Sequence, residues 1–416
     1  MGFAGLSYQV FSACAAIVAA RCIGKVQFGE LGILNSTIVT LGILGSAGLG
    51  ITATGYTAVL HSTRDSRLGE FYGFLLITAL VASSMVAAAV FGLRGFIAES
   101  LLGEGHLDKL LGIVAFQLIT NSVWGVQQGV LIGLEKFRAV AIVNFAWGFS
   151  TFLFVSLLSF TYGVIGALYG YLLSGIVCIG TCRYFLHREI SACGYSIVFK
   201  WTKRNFEILR RFAMPAIVIS ICTQPFAWIS RLYLARQEHG FAELGIFTAA
   251  FSWSMLIQFL PERLTSSCLP VLSSCYAKAE YSEFRKVSVR LGIGCLAFAS
   301  LSSLPFILFS DDILSVYGTG FDHGKNTLIV ISIANAAGSV LLALRAILTA
   351  MGVMWAQTSY SILSGVLVVA VSAALVADHG ALGLAIGYLV AVIVQIFTQG
   401  IYVSKLLYKL RQNKYR

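Results

Sequence analysis

Charge is scarce in this chain. Asp, Glu, Lys and Arg make up 11% of its 416 residues, against about 25% in soluble globular proteins. Too little polar side chain is left to cover a soluble surface, and disorder is excluded because disordered chains are apolar-poor and charge-rich. Proline is scarcer still, with five residues, all between Pro215 and Pro305. The nine cysteines show no paired spacing, which argues against a disulfide framework or a zinc site. Cys178 and Cys182, one helical turn apart, suit a buried face. Walker-loop, His-Glu-x-x-His and Gly-x-Ser-x-Gly motifs are all missing. ATP hydrolysis is therefore excluded and no enzymatic activity, metal or cofactor is expected. Transport by such a chain would draw on ion or substrate gradients. No basic n-region precedes the first apolar run, so no cleavable signal peptide is expected.

What the chain has in abundance is apolar side chain, 58% of residues, with a mean hydropathy of +0.84. The apolar runs are long and lack a period of two, which argues against a transmembrane β-barrel. A helix needs about 20 apolar residues to cross the hydrocarbon core. Polar breaks give spans near 2–20, 31–60, 71–93, 110–133, 139–160 and 163–182, then 212–235, 243–275, 288–309, 327–351, 356–377 and 381–404. The expected fold is an all-α polytopic membrane protein of about twelve transmembrane helices. The second and eighth spans are long enough to tilt or project.

The net charge of +11 reads better as a topology signal than as a nucleic-acid footprint, and no nucleic-acid partner is expected. Twenty Lys and Arg fall after even-numbered spans and in the C-terminal tail, seven on the opposite side. Both termini are thereby predicted to be cytoplasmic.

Two short patterns repeat. Phe28-Gly29-Glu30-Leu31-Gly32-Ile33 returns as Phe241-Ala242-Glu243-Leu244-Gly245-Ile246, and Gly163-x-x-Gly166-x-x-x-Gly170-Tyr171-Leu172 returns as Gly380-x-x-Gly383-x-x-x-Gly387-Tyr388-Leu389. Each falls at the same step of a six-span unit, so the halves are parallel repeats related by an axis along the membrane normal. The expected organisation is an N-terminal lobe over 1–190, a basic linker over 191–211 and a C-terminal lobe over 212–416. Trp201, Phe206, Ile208 and Leu209, set among Lys200, Lys203, Arg204, Arg210 and Arg211, read either as an interfacial amphipathic helix or as a topology-setting linker.

An ionised side chain at mid-bilayer costs about 2.5–3.5 kcal/mol on the insertion scale, so it tends to face a cavity. Arg263 and Arg345 lie inside spans, Arg21 ends the first span, and Arg231 lies late in the seventh. The guanidinium fork suits phosphate and cannot be discharged by burial. These four are the candidate ligands of a diphosphate, although Arg21 and Arg231 also suit snorkelling to an interface. Glu262, beside Arg263, is the candidate for proton or cation coupling. Gln117, Asn121 and Gln128 share one side of the fourth span and are the candidate sugar contacts. Glu30 and Glu243 are expected to serve helix dipoles, and Asp311-Asp312 a solvated loop. Gly45, Gly48, Pro225 and Pro261 are the candidate hinges, with close packing through small residues as the alternative.

Arg21 followed by Phe28-Gly29-x-Leu31-Gly32, a Gly-rich second span, twelve spans and a six-plus-six duplication resemble the bacterial polysaccharide flippases. These are the O-antigen repeat-unit translocases of the multidrug/oligosaccharidyl-lipid/polysaccharide exporter superfamily. The resemblance implies two pseudo-symmetric six-helix lobes around a cationic central cavity in the bacterial inner membrane. It also implies an undecaprenyl-diphosphate-linked oligosaccharide as substrate, flipped to the periplasmic leaflet by alternating access. The partners it implies are that glycan, membrane lipid and the polysaccharide polymerase or assembly proteins. Two other readings stay open, a multidrug/cation antiporter of the same superfamily and a non-transporting membrane scaffold. The antiporter would need cavity carboxylates that outnumber arginines, and the scaffold would need no cavity charge.

Overall fold

Away from water, backbone N–H and C=O groups must bond within their own segment, and helix is what long apolar runs can form. The computed structural model describes residues 2–46, 48–63, 65, 67–192, 198, 202, 205–209, 218 and 220–412, and those residues are almost wholly helical. The long helices in chain order are α1 (Gly2–Ser46), α2 (Leu49–Ser62), α3 (Leu68–Gly92), α4 (Leu107–Gly133), α5 (Phe137–Ala192), α6 (Pro225–Ala235), α7 (Gly240–Ser252), α8 (Ser254–Ala277), α9 (Tyr281–Leu308), α10 (Lys325–Ala350) and α11 (Met354–Gln412).

Three of these are too long for one crossing. α1, α5 and α11 have 45, 56 and 59 residues, or about 68, 84 and 88 Å at 1.5 Å per residue, against a hydrocarbon core of about 30 Å. Each is interrupted by one glycine with non-helical backbone: Gly24, Gly163 and Gly380. Among the described residues eight helical stretches are long and apolar enough to span a membrane. Dividing the three longest at their glycines gives eleven segments, and the partly described stretch before Ala235 occupies the place of the seventh expected span.

The duplication is written into the backbone. Gly163 has φ 61 and ψ −139, and Gly380, 217 residues later, has φ 50 and ψ −127. Gly103 (φ 78) pairs with Gly320 (φ 92) at the same offset, and Glu135 (φ 58) with Gly352 (φ 74). The left-handed positions thus mark the turns of one six-span unit built twice.

Contacts divide the chain into two compact units, Met1–Trp228 and Ile229–Arg416. In the first, α1 packs on α5 and α4, and α3 and α2 pack on α4. Its core includes Phe71, Tyr72, Phe74, Val126, Val130, Cys178 and Cys182, so the two cysteines are buried as the spacing suggested. The described cysteines are all free. The second unit packs α9, α8 and α11 around α10, with Leu272, Phe284, Cys295, Ile347 and Leu348 in its core.

Most of the basic linker, including Lys200, Trp201, Lys203, Arg204, Arg210 and Arg211, lies outside the described residues. Residues 205–209 form a helical turn whose Ile208 and Leu209 pack on the first unit's core, while Phe206 is exposed. Thr202 Oγ1 donates to Glu70 Oε1 at 2.6 Å and Asn205 Nδ2 to the same oxygen at 3.3 Å. This part of the linker is therefore held by protein. In the loop before α3, Arg67 donates to both carboxylate oxygens of Asp65 and holds that carboxyl down at about 2.

Candidate functional site

The second unit carries charged residues within helices long and apolar enough to span a membrane. On α8, Glu262, Arg263, Ser266 and Ser267 are all exposed and share one side of the helix. The two serines donate back to the carbonyls of Glu262 and Arg263 at 2.8 and 2.9 Å. Such a face is costly against lipid and suits a water-filled surface. Arg345, on α10, is exposed as well, and Glu262 lies within electrostatic reach of both Arg263 and Arg345. Among the described residues none of the three makes a direct ion pair. The Arg263 guanidinium rests over the Phe259 ring, 5.3 Å from its centroid.

An amide pair ties α8 to α10, the helices that carry Glu262 and Arg345. Asn335 Nδ2 on α10 donates to Ser254 Oγ at 2.8 Å, and Gln258 Nε2 on α8 donates to Asn335 O at 2.9 Å. Two guanidinium groups thus lie within electrostatic reach of one carboxylate, so basic groups outnumber acidic ones in the cluster.

The other two arginines have different surroundings. Arg231 on α6 lies over Phe251 at 4.9 Å and Phe247 at 5.8 Å, and both rings contact Tyr388. Its buried Nε and the Tyr388 hydroxyl have no hydrogen-bond partner among the described residues. Arg21, in the first unit, is exposed three residues before the Gly24 break.

In the first unit, α4 presents Gln117, Asn121, Trp124 and Gln128 along one stripe. Gln117 is 7% exposed, and its Oε1 has no partner among the described residues. Asn121 is half-buried. Gln128 Nε2 donates to Asn144 Oδ1 on α5 at 3.0 Å. Sequence reasoning missed Trp124, which continues the stripe at i+7 from Gln117, and Asn144 with Trp147, which lie one turn apart on α5. The spacing was a usable signal for Trp124. The pairing with α5 depends on how the helices pack and has no local signature.

The expected hinges differ from one another. Gly48, at φ 78, caps α2 where the second span breaks. Gly45 marks a close approach, since a methyl group there would sit 3.0 Å from Ser83 Cα. Pro261 is buried inside α8, beyond the turn at Trp253. Pro225 is the first residue of α6, a position that a missing N–H suits. Pro215 lies outside the described residues.

Of the acidic expectations, those for Glu30 and for Asp311-Asp312 change and that for Glu243 gains a second helix. Glu30 is buried and receives His106 Nε2 at 2.9 Å, so that histidine is engaged. Glu243 lies in the first turn of α7, as expected, and also caps a second helix: its Oε2 accepts the Ala381 N–H at 2.8 Å, just past the Gly380 break. Asp311 and Asp312 sit in the first turn of a short helix, Ser310–Ser315, and Lys325 pairs with Asp311. No group of three His, Cys, Asp or Glu among the described residues is placed to hold a metal.

Residues 3–276 match the model of the family described as polysaccharide biosynthesis protein. The chain is 22% identical over 349 residues to the EPS I polysaccharide export inner membrane protein EpsE of Ralstonia nicotianae, covering 83% of this chain and 78% of that protein. Among solved structures, an inward-facing MATE family multidrug resistance transporter of the MOP superfamily superposes with a TM-score of 0.80 at 16% identity, over 98% of this chain and 99% of that one. A MOP superfamily transporter from Pyrococcus furiosus, described as having a binding pocket of reversed polarity, gives 0.70 at 13% identity over 98% and 96%. The family match spans well over half the sequence and the fold agrees end to end, so this chain belongs to the polysaccharide biosynthesis protein family and is a multi-pass, all-α membrane protein with the fold of the MOP-superfamily transporters.

Proposed function

We propose that the chain flips an undecaprenyl-diphosphate-linked oligosaccharide, a repeat unit of an O-antigen, capsule or exopolysaccharide, across the bacterial inner membrane by alternating access. The observation that carries this reading is the Glu262–Arg263–Arg345 cluster, exposed and more basic than acidic, within helices long and apolar enough to span a membrane in a polysaccharide-family chain. A guanidinium pair offers a diphosphate charge and parallel N–H donors together. Arg263 and Arg345 are its proposed ligands, with Arg21 and Arg231 as further contacts along the path. The export role named for the Ralstonia relative supports the same substrate class.

The amide face of Gln117, Asn121 and Gln128 is the proposed sugar contact, since an amide both donates and accepts toward hydroxyls. Glu262 is the proposed ion-coupling group: protonation would remove the one negative charge beside the two arginines. Gly45, Gly48, Pro225 and Pro261 are proposed to absorb the motion. Both termini are proposed to be cytoplasmic, from the Lys and Arg distribution, and polysaccharide polymerase or assembly proteins are the proposed neighbours. A cation antiporter is disfavoured because arginines outnumber carboxylates in the cluster, and a scaffold because it has no use for a charged face within a span. The test is flipping of a fluorescent polyprenyl-diphosphate oligosaccharide by purified protein in proteoliposomes, with a matched lipid lacking the diphosphate as control.

A further inference from the structure

Three aromatic rings in the first unit touch one another across three membrane segments, one pair stacked and the other tilted. Tyr8, near the start of α1, stacks on Trp147 of α5 with centroids 4.5 Å apart and planes 27° apart. Trp147 in turn lies 4.3 Å from Trp124 of α4, at 52°. All three are half-buried, with Trp124 and Trp147 packed at the edge of the unit's core. One helical turn from Trp124 and from Trp147, the amides of Gln128 and Asn144 bond to each other. The buried Trp124 Nε1, Gln117 Oε1 and Thr151 Oγ1, the last a turn beyond Trp147, have no hydrogen-bond partner among the described residues.

Packing alone does not account for this group. The fold builds the same six-span unit twice, and at the offset of 217 the second copy has Leu341 for Trp124, Arg345 for Gln128, Ser361 for Asn144 and Ser364 for Trp147. The unit therefore folds without indoles or an amide pair at these places. Packing would favour apolar residues there too, since buried polar atoms without partners oppose folding.

We infer that the Tyr8–Trp147–Trp124 ring cluster, with Gln128 and Asn144, is a binding subsite for a pyranose ring of the transported glycan. A pyranose offers an apolar C–H face, which lies flat on an aromatic ring, and a rim of hydroxyls, which need donors and acceptors in alternation. Indole and phenol rings supply the face and carry one polar handle each. The two amides supply both kinds of hydrogen-bonding group and can exchange their mutual bond for hydroxyls. A site that pairs ring stacking with hydroxyl recognition discriminates between sugars, because a wrong hydroxyl leaves a buried amide unpaired. The inference rests on the flippase reading and adds to it the aromatic residues that select the sugar.

The test is binding to the purified full chain in detergent, followed by tryptophan emission and by calorimetry, with two probes. One is the reducing oligosaccharide released from the polysaccharide of the source cell, and the other is farnesyl diphosphate, which has no sugar. Trp124→Ala and Trp147→Ala are each expected to weaken the oligosaccharide about tenfold or more, the scale of about 1.4 kcal/mol, and to leave farnesyl diphosphate unchanged. Trp147→Phe, which keeps a ring face, should stay within about threefold of the wild type. Equal weakening of both probes, or oligosaccharide binding unchanged in both alanine variants, would overturn the subsite. Wild-type binding of farnesyl diphosphate without the oligosaccharide would overturn the subsite alone. Binding of neither probe would take the flippase reading with it.

Discussion

Gln128 and Arg345 stand 217 residues apart at the same step of the two six-span units, and they are differently engaged. The Gln128 amide is tied to Asn144 at 3.0 Å. The Arg345 guanidinium is exposed on α10 in electrostatic reach of Glu262 and makes no direct ion pair among the described residues. One ancestral place has become an amide in the first copy and a cation in the second. A substrate with a neutral polar part and a strongly anionic part would use such divergence, which a symmetric ligand would not.

The repeated glycine breaks should be intolerant of any side chain. Gly163→Ala and Gly380→Ala force a Cβ into positive-φ backbone, and each is expected to destabilise the folded chain by about 1–3 kcal/mol. At Gly380 the new methyl would also collide with Glu243. Gly55→Ala, where nothing lies within 4 Å, serves as the tolerated control. Thermal unfolding in detergent checks the series, and equal melting of all three variants would show that the breaks are not strained.

Glu243 should matter through one acceptor atom. Its Oε2 holds the Ala381 N–H where the last span begins, a charge-assisted bond worth about 1.5–3 kcal/mol. Glu243→Ala is expected to lower thermal stability by that order, whereas Glu243→Gln, which keeps an acceptor, should lose less. Hydrogen exchange at Ala381 gives a local reading, with faster exchange in the alanine variant.

The topology can be checked from two loops. A single cysteine placed at Asp65, in a cysteine-free background, is expected to be shielded from membrane-impermeant thiol reagents in intact cells. One at Glu104 is expected to react. The first loop, with Arg64 and Arg67, lies on the side that carries twenty of the Lys and Arg, and the second on the side that carries seven. The reverse labelling pattern would invert the orientation.

Much of this fold could be read directly from the residues. Hydropathy located the spans, and the Gly163 and Gly380 motifs exposed the duplication. The breaks of α5 and α11 were legible too, since the expected spans part at 160/163 and 377/381, but the positive φ of Gly163 and Gly380 was not, because a repeated glycine also fits close packing, as Gly45 does against Ser83. The charged candidates were legible because arginine inside an apolar run is costly wherever it faces. Their grouping was not: that Glu262 lies in electrostatic reach of Arg345 while Arg231 rests on Phe251 depends on how α8 packs on α10 and α6 on α7. The His106–Glu30 bond joins residues 76 positions apart and has no local signature. Trp124 looked like one more apolar residue, and only its neighbours Trp147 and Gln128 give it another meaning.

The measurement that bears most directly on the central claim is flipping in proteoliposomes by wild type, Arg263→Ala, Arg345→Ala and the double variant, at matched protein levels. The account predicts wild-type movement of the polyprenyl-diphosphate oligosaccharide but not of the lipid lacking the diphosphate. Each single variant should lose about tenfold or more, consistent with removing one charge-assisted contact of about 1.5–3 kcal/mol, and the double variant should be inactive. Full activity in the double variant, or equal movement of both lipids, would contradict it.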